Sequence, residues 1–288
     1  MKCNGSVLLF GSLLMSVFFH EPASACQPPE RDGLVVRPTA FGVVVAPSAI
    51  EADEAVAAGE IAKFAARKYF DLDIKSMLIA PPDLFPARAG WNCEIAFPWP
   101  FYTGSGARRF PHYVMPHEIG HTIFIQYLAP TSGRPEYGGM APDWLDEMAA
   151  LAFEGEEGAK ERRRFAVRLA DSGGLMPSEK LFSISHPEWT GTAEQISPRI
   201  QLARSQETLS YYVTLRLLFD FLIETTGDRL ILKKLSYKVR QGRAIDVWVL
   251  KRLRVRNTED LDKLLIRHAK YHPSYQDARA RQIRSQNN

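Results

Sequence analysis

The pentapeptide His-Glu-Ile-Gly-His at 117–121 constrains this chain more than any other feature. Two histidines four positions apart share a face only on a helix, where residues i and i+4 project the same way. The stretch "VMPHEIGHTIF" (114–124) is therefore expected to be helical. Pro116 belongs in its first turn, since proline lacks a backbone donor, which puts the helix start near 112–115. His117 and His121 can then turn a ring nitrogen each toward one ion. Zinc takes imidazole nitrogen readily, and a catalytic zinc site needs three protein ligands with a fourth position left for water. Glu118, one position along, can act on that water as general base without binding the metal. Shuffling this composition yields about 0.01 such motifs by chance, so two unrelated surface histidines are a poor account of the pattern.

The spacing of the third ligand sorts the options. A metzincin would place Gly at 124 and His at 127; those positions hold Phe124 and Tyr127, which excludes that class. "PDWLDEMAAL" (142–151) offers Glu147 on a strongly helical segment. Trp144, Leu145, Met148 and Leu151 would bury one side of that helix and turn Glu147 toward the first. On this reading Asp146 and Glu154 are surface carboxylates. Glu136, Asp143 and Glu154 are next in line should Glu147 not ligate.

Around this centre the chain is predicted to be α+β. "GVVVAPSAI" (42–50), "KSMLIAP" and "CEIAFPW" read as short strands stopped by proline. Residues 51–71 carry helical periodicity, with Val56, Ile61, Phe64 and Ala65 on one face. From 111 onward helices dominate, apart from a Gly/Pro-rich loop at 130–142 and a polar stretch at 172–206. "LSYYVTLRLLFDFLIETTG" is an apolar helix closed by Gly227, and Asn257 or Thr258 caps a last helix. Strands first and helices afterwards give one catalytic unit of two lobes. The expected divisions are a signal peptide at 1–25, an α/β lobe at 26–130, a helical lobe at 131–272 and a polar, frayed tail at 273–288.

The signal reading rests on Lys2, the apolar run at 7–19 and "ASA" at 23–25, a run too short to span a membrane comfortably. The mature chain is expected to begin at Cys26, to be periplasmic or secreted, and to carry no transmembrane helix. Cys26 and Cys93 could pair in an oxidising compartment. A lipid anchor on Cys26 is the rival, although "ASAC" lacks the leucine that opens such a box. A formal charge of +3 with no basic block argues against a nucleic-acid partner; "KERRRF" (160–165) reads as a solvated helix face.

"MPHEIGHTIF" followed by "PDWLDEMAALAF" resembles the gluzincin metallopeptidases, the thermolysin-like clan. "YYVTLRLLFDFLIETTGDRLILKKL" is similar to that clan's C-terminal helices. The likeness covers roughly residues 93–270. It implies a gluzincin-like catalytic domain with Zn2+ held by His117, His121 and Glu147, Glu118 as general base, and Tyr211 as oxyanion stabiliser. Tyr212 and His186 are alternatives for the last role. The sequence departs from the pattern at Met148, where the clan has glycine, and at Leu151, where an aspartate would orient a ligand histidine.

The function these features imply is hydrolysis of a peptide or protein substrate by an exported zinc metallopeptidase. An extended peptide would lie along "CEIAF" as an added strand. Two other classes fit the same motif: a periplasmic binding or assembly module that keeps the fold without catalysis, and a zinc hydrolase of a non-peptide amide.

Overall fold

The computed structural model describes residues 32–87, 93–99, 111–129, 140–184 and 198–277, with side chains of the last segment described from 205. The signal region, Cys26, Glu136 and His186 lie outside these residues. Four short strands, β1 (Val35–Thr39), β2 (Gly42–Ala46), β3 (Met77–Ala80) and β4 (Ile95–Pro98), form one sheet in that order. β1 and β2 are antiparallel; β2, β3 and β4 run parallel. β1 contains Pro38, which hides it from a search for uninterrupted strands. It sits at the edge of the sheet, where a missing ladder donor is tolerated.

Period-two alternation sends the side chains to two different cores. Val44, Ala46, Met77, Ile79, Ile95 and Phe97 face the main core, shared with the helices. Val43, Val45, Leu78 and Ala80 face a small second cluster, covered by Leu84 and Phe85 of a 3-10 segment. That two-sided burial explains why the inner strands read as continuous apolar runs.

Helix α1 (Ala49–Ala65) starts at a capping box. Ser48 accepts from the Glu51 N–H at 3.3 Å and donates to its carboxylate at 2.8 Å. Its buried face is only partly the expected one: Ala65 is buried, and Val56 and Ile61 are half-buried. Ala52, Ala55, Ala58, Gly59, Ala62 and Ala65 face the sheet, whereas Phe64 is 67% exposed. Close approach decides the phase: a Cβ on Gly59 would sit 2.2 Å from the Phe41 ring. The large residues stay outside because the helix packs too tightly to admit them.

Helix α2 (Val114–Ile123) continues into a π-helical turn at Phe124–Leu128, and Arg240 donates to the carbonyls of Tyr127 and Leu128 there. The helical region adds α3 (Asp143–Leu151), α4 (Gly155–Ser172), α5 (Ser178–Ser183), α6 (Pro198–Thr226), α7 (Ile231–Arg240), α8 (Ile245–Leu253) and α9 (Thr258–Tyr271). α5 and the start of α6 occupy part of the stretch expected to be polar loop. Gly227 adopts the left-handed conformation, φ 65°, that ends α6, and Asn257 caps α9.

A single apolar cluster runs from Phe41 through α2, α3 and α6 to Tyr275. The tail does not fray at 273: Tyr275 is fully buried and donates to Asp220 at 2.9 Å. Among the described residues no helix is long and apolar enough to cross a membrane.

Candidate metal centre

α2 and α3 cross in contact because Gly120 leaves room. A Cβ at that position would meet the Phe153 ring at 2.8 Å and the Ala150 Cα at 3.1 Å. The middle glycine of HEIGH therefore sets the distance between the two helices. The crossing brings His117 and His121 on α2 face to face with Glu147 on α3, all three buried.

The donor atoms converge. His117 Nε2 and His121 Nε2 are 3.2 Å apart, and Glu147 Oε2 lies 3.3 Å from the first and 3.6 Å from the second. Four donors arranged tetrahedrally at about 2.0–2.1 Å from an ion are about 3.3–3.4 Å from one another. The three side chains thus occupy three vertices of a metal-sized tetrahedron. They form a group able to hold a metal ion.

Behind the donors stand two further carboxylates. His121 Nδ1 is 2.9 Å from Asp146 Oδ2, and His117 Nδ1 is 3.2 Å from Glu154 Oε1. The Asp146 hydrogen bond selects the His121 tautomer that turns Nε2 to the centre, whereas His117 and Glu154 approach closely without hydrogen-bond geometry. Glu154 is held in turn by Arg162 through bonds of 2.8 and 3.2 Å. A Cβ on Gly158 would fall 2.7 Å from the Glu154 Cβ, so that glycine reserves the space. The reading of Asp146 and Glu154 as surface carboxylates is wrong: each is 1% exposed. The orienting role left open at Leu151 is filled by Asp146, and Leu151 is core.

The electrostatics match a cation. Arg162 offsets Glu154, while Asp146 and Glu147 add two further buried carboxylates, so acidic side chains dominate the site. Burial alone would push the His117 imidazole down, but Glu147 and Glu154 lift it to about 10. Burial likewise opposes charge on His121, and Asp146 and Glu147 overcome it, raising its pKa. Burial would raise the Glu154 carboxyl, yet His117 and Arg162 hold it below its ordinary value.

Two tyrosines of α6 approach the centre differently. Tyr211, the residue expected there, is fully buried, and its hydroxyl makes no hydrogen bond among the described residues. Its neighbour Tyr212 donates to Glu147 Oε1 at 3.4 Å and sets its ring edge-on to His117 at 5.9 Å. Arg162 lies over the Tyr212 ring at 5.2 Å. Burial first, then the charges of Glu147 and Glu118, push the Tyr212 phenol well above its ordinary value. It therefore stays protonated as a donor. Glu118 is half-buried on the same turn of α2 as His117. Adjacent tyrosines differ only in helical phase, and α6 is apolar around most of its girth, which removes the cue that would separate them.

Asp143 is half-buried at the start of α3, outside the converging set. A cavity of about 760 Å³ lies elsewhere, between α4, α5 and α6, lined by residues such as Phe165, Leu169 and Lys180. It shares no residue with the metal centre. No family model, curated protein or solved structure matches the chain.

Proposed function

We propose that this protein is an exported zinc-dependent metallopeptidase of gluzincin type, with zinc held by His117, His121 and Glu147. The observation that carries the reading is the 3.2–3.6 Å triangle of two imidazole nitrogens and one carboxylate oxygen. Two nitrogens and one oxygen with a vertex left open are the donor set of a hydrolytic zinc site. Calcium or magnesium would call for more oxygen donors.

Bound there, zinc supplies Lewis-acid activation of water and of the scissile carbonyl. The chain's own residues do the rest. Glu118 accepts the water proton and returns it to the leaving amine. Tyr212, protonated at neutral pH, is placed to donate a hydrogen bond to a developing oxyanion, a contribution of about 3–4 kcal/mol in such sites. Asp146 keeps the His121 imidazole in one tautomer, and Glu154 places a carboxylate beside His117.

Glu118→Gln tests the assignment. Zinc content should be unchanged while peptide hydrolysis falls by about 10²–10⁴. Hydrolysis at the parental rate with zinc bound would instead favour a binding module or a different base.

A further inference from the structure

A second pair of histidines repeats the i, i+4 spacing in the last helix. His268 and His272 lie at the C-terminal end of α9 and face Glu224 on α6. Glu224 Oε2 is 2.9 Å from His272 Nε2 and 3.2 Å from His268 Nε2. Donors at about 2.1 Å from an ion are about 3.0 Å apart in an octahedron and 3.4 Å apart in a tetrahedron; the His268 distance falls in that range and the His272 distance just below it.

The rings are fixed. His272 Nδ1 pairs with Ser274 Oγ at 2.9 Å, which leaves Nε2 for the carboxylate side. His268 is held edge-on between Phe221, at 5.2 Å, and Tyr275, at 5.3 Å. Its side chain is 8% exposed, and its Nε2 makes no hydrogen bond among the described residues despite the nearby carboxylate. The His268 and His272 rings stack at 4.5 Å, inclined by 22°, which keeps both Nε2 atoms within 4.8 Å of the carboxylate and of each other. The nearby Arg163 guanidinium is engaged by Asp220 and Glu156.

The geometry points to a second metal site, formed by Glu224, His268 and His272, that takes a divalent transition ion such as zinc and clips α9 to α6. Two imidazoles and one carboxylate select such an ion over calcium or magnesium. The site is separate from the first: Glu224 lies about 18 Å along α6 from Tyr212 at the helical rise of 1.5 Å per residue. With His272 and Glu224 about one-third exposed, solvent completes the coordination. Its role is structural, adding a metal clip to the packing of α9 on α6 and to the Tyr275–Asp220 hydrogen bond just beyond it.

The test uses untagged full chain saturated with zinc, with metal counted after gel filtration, beside His272→Ala and Glu224→Gln. Both substitutions are at part-exposed side chains outside the first centre. Two zinc ions in the parent and one in each variant are expected, together with a zinc-dependent rise in Tm that both variants diminish. One in the parent and none in the variants would support this site while removing the first. Equal counts in parent and both variants would overturn it.

Discussion

At the scale of single residues, the centre divides into donors that spacing exposes and supports that it does not. His117, His121 and Glu147 are legible because a metal imposes i, i+4 geometry and a third acid. Asp146 is not, because every residue from Trp144 to Leu151 is buried and a helix buried all round has no solvent face to mark by contrast; Glu154 lies beyond that helix, where periodicity gives no cue. A signal was nevertheless present: two adjacent acids inside "WLDEMAALAF" have no solvent face to serve. The tyrosines are separable by experiment. Tyr212→Phe should lower kcat by about 10²–10³ with little change in KM. Tyr211→Phe removes a hydroxyl with no partner among the described residues and should leave kcat within about twofold. Steady-state kinetics on one peptide reads both, and equal losses would contradict the assignment.

At the scale of elements, the strands after β1 and the helices around the motif follow from proline stops and helical periodicity. The phase of α1 does not. Hydrophobicity ranks Phe64 above Ala62, whereas the packing distance set by Phe41 against Gly59 selects alanines. Sequence carries that distance only through the small residues themselves. The same logic governs the crossing of α2 and α3. Gly120→Ala places a methyl 2.8 Å from the Phe153 ring and should cost about 1–3 kcal/mol of stability. It should also weaken zinc binding by spreading the donor triangle. Denaturant unfolding and a competitive zinc titration check both effects; a variant as stable and as tight as the parent would mean that the helices are not in contact there.

For the whole molecule, one continuous core joins the sheet to the last helix, and a buried ionic cluster ties α4, α6 and the residues after α9 together. Asp220 bonds Arg163 at 2.8 Å and Arg216 at 2.7 Å and accepts from Tyr275. Arg216 also donates to the Leu151 carbonyl at 3.2 Å, capping the helix that carries Glu147. Burial opposes the Asp220 charge, but Arg216 and Arg163 prevail and hold its carboxyl below the ordinary value. A depressed folded pKa gives stability that is complete above the unfolded value of about 3.9 and is lost as pH falls through the folded one. The parent should therefore lose stability steeply below about pH 4. Asp220→Asn should flatten that acid limb and cost about 3–5 kcal/mol at neutral pH by leaving buried guanidinium groups uncompensated. Unfolding free energies across the acid range measure this.

The central claim is that His117, His121 and Glu147 hold one tightly bound zinc. The direct measurement is zinc per chain at low, chelator-buffered free zinc for the parent and for Glu147→Gln, with folding of both checked by circular dichroism. The account predicts one zinc retained by the parent and most of it lost from the variant. A folded parent without zinc, or a variant that keeps it, would contradict the three-ligand centre.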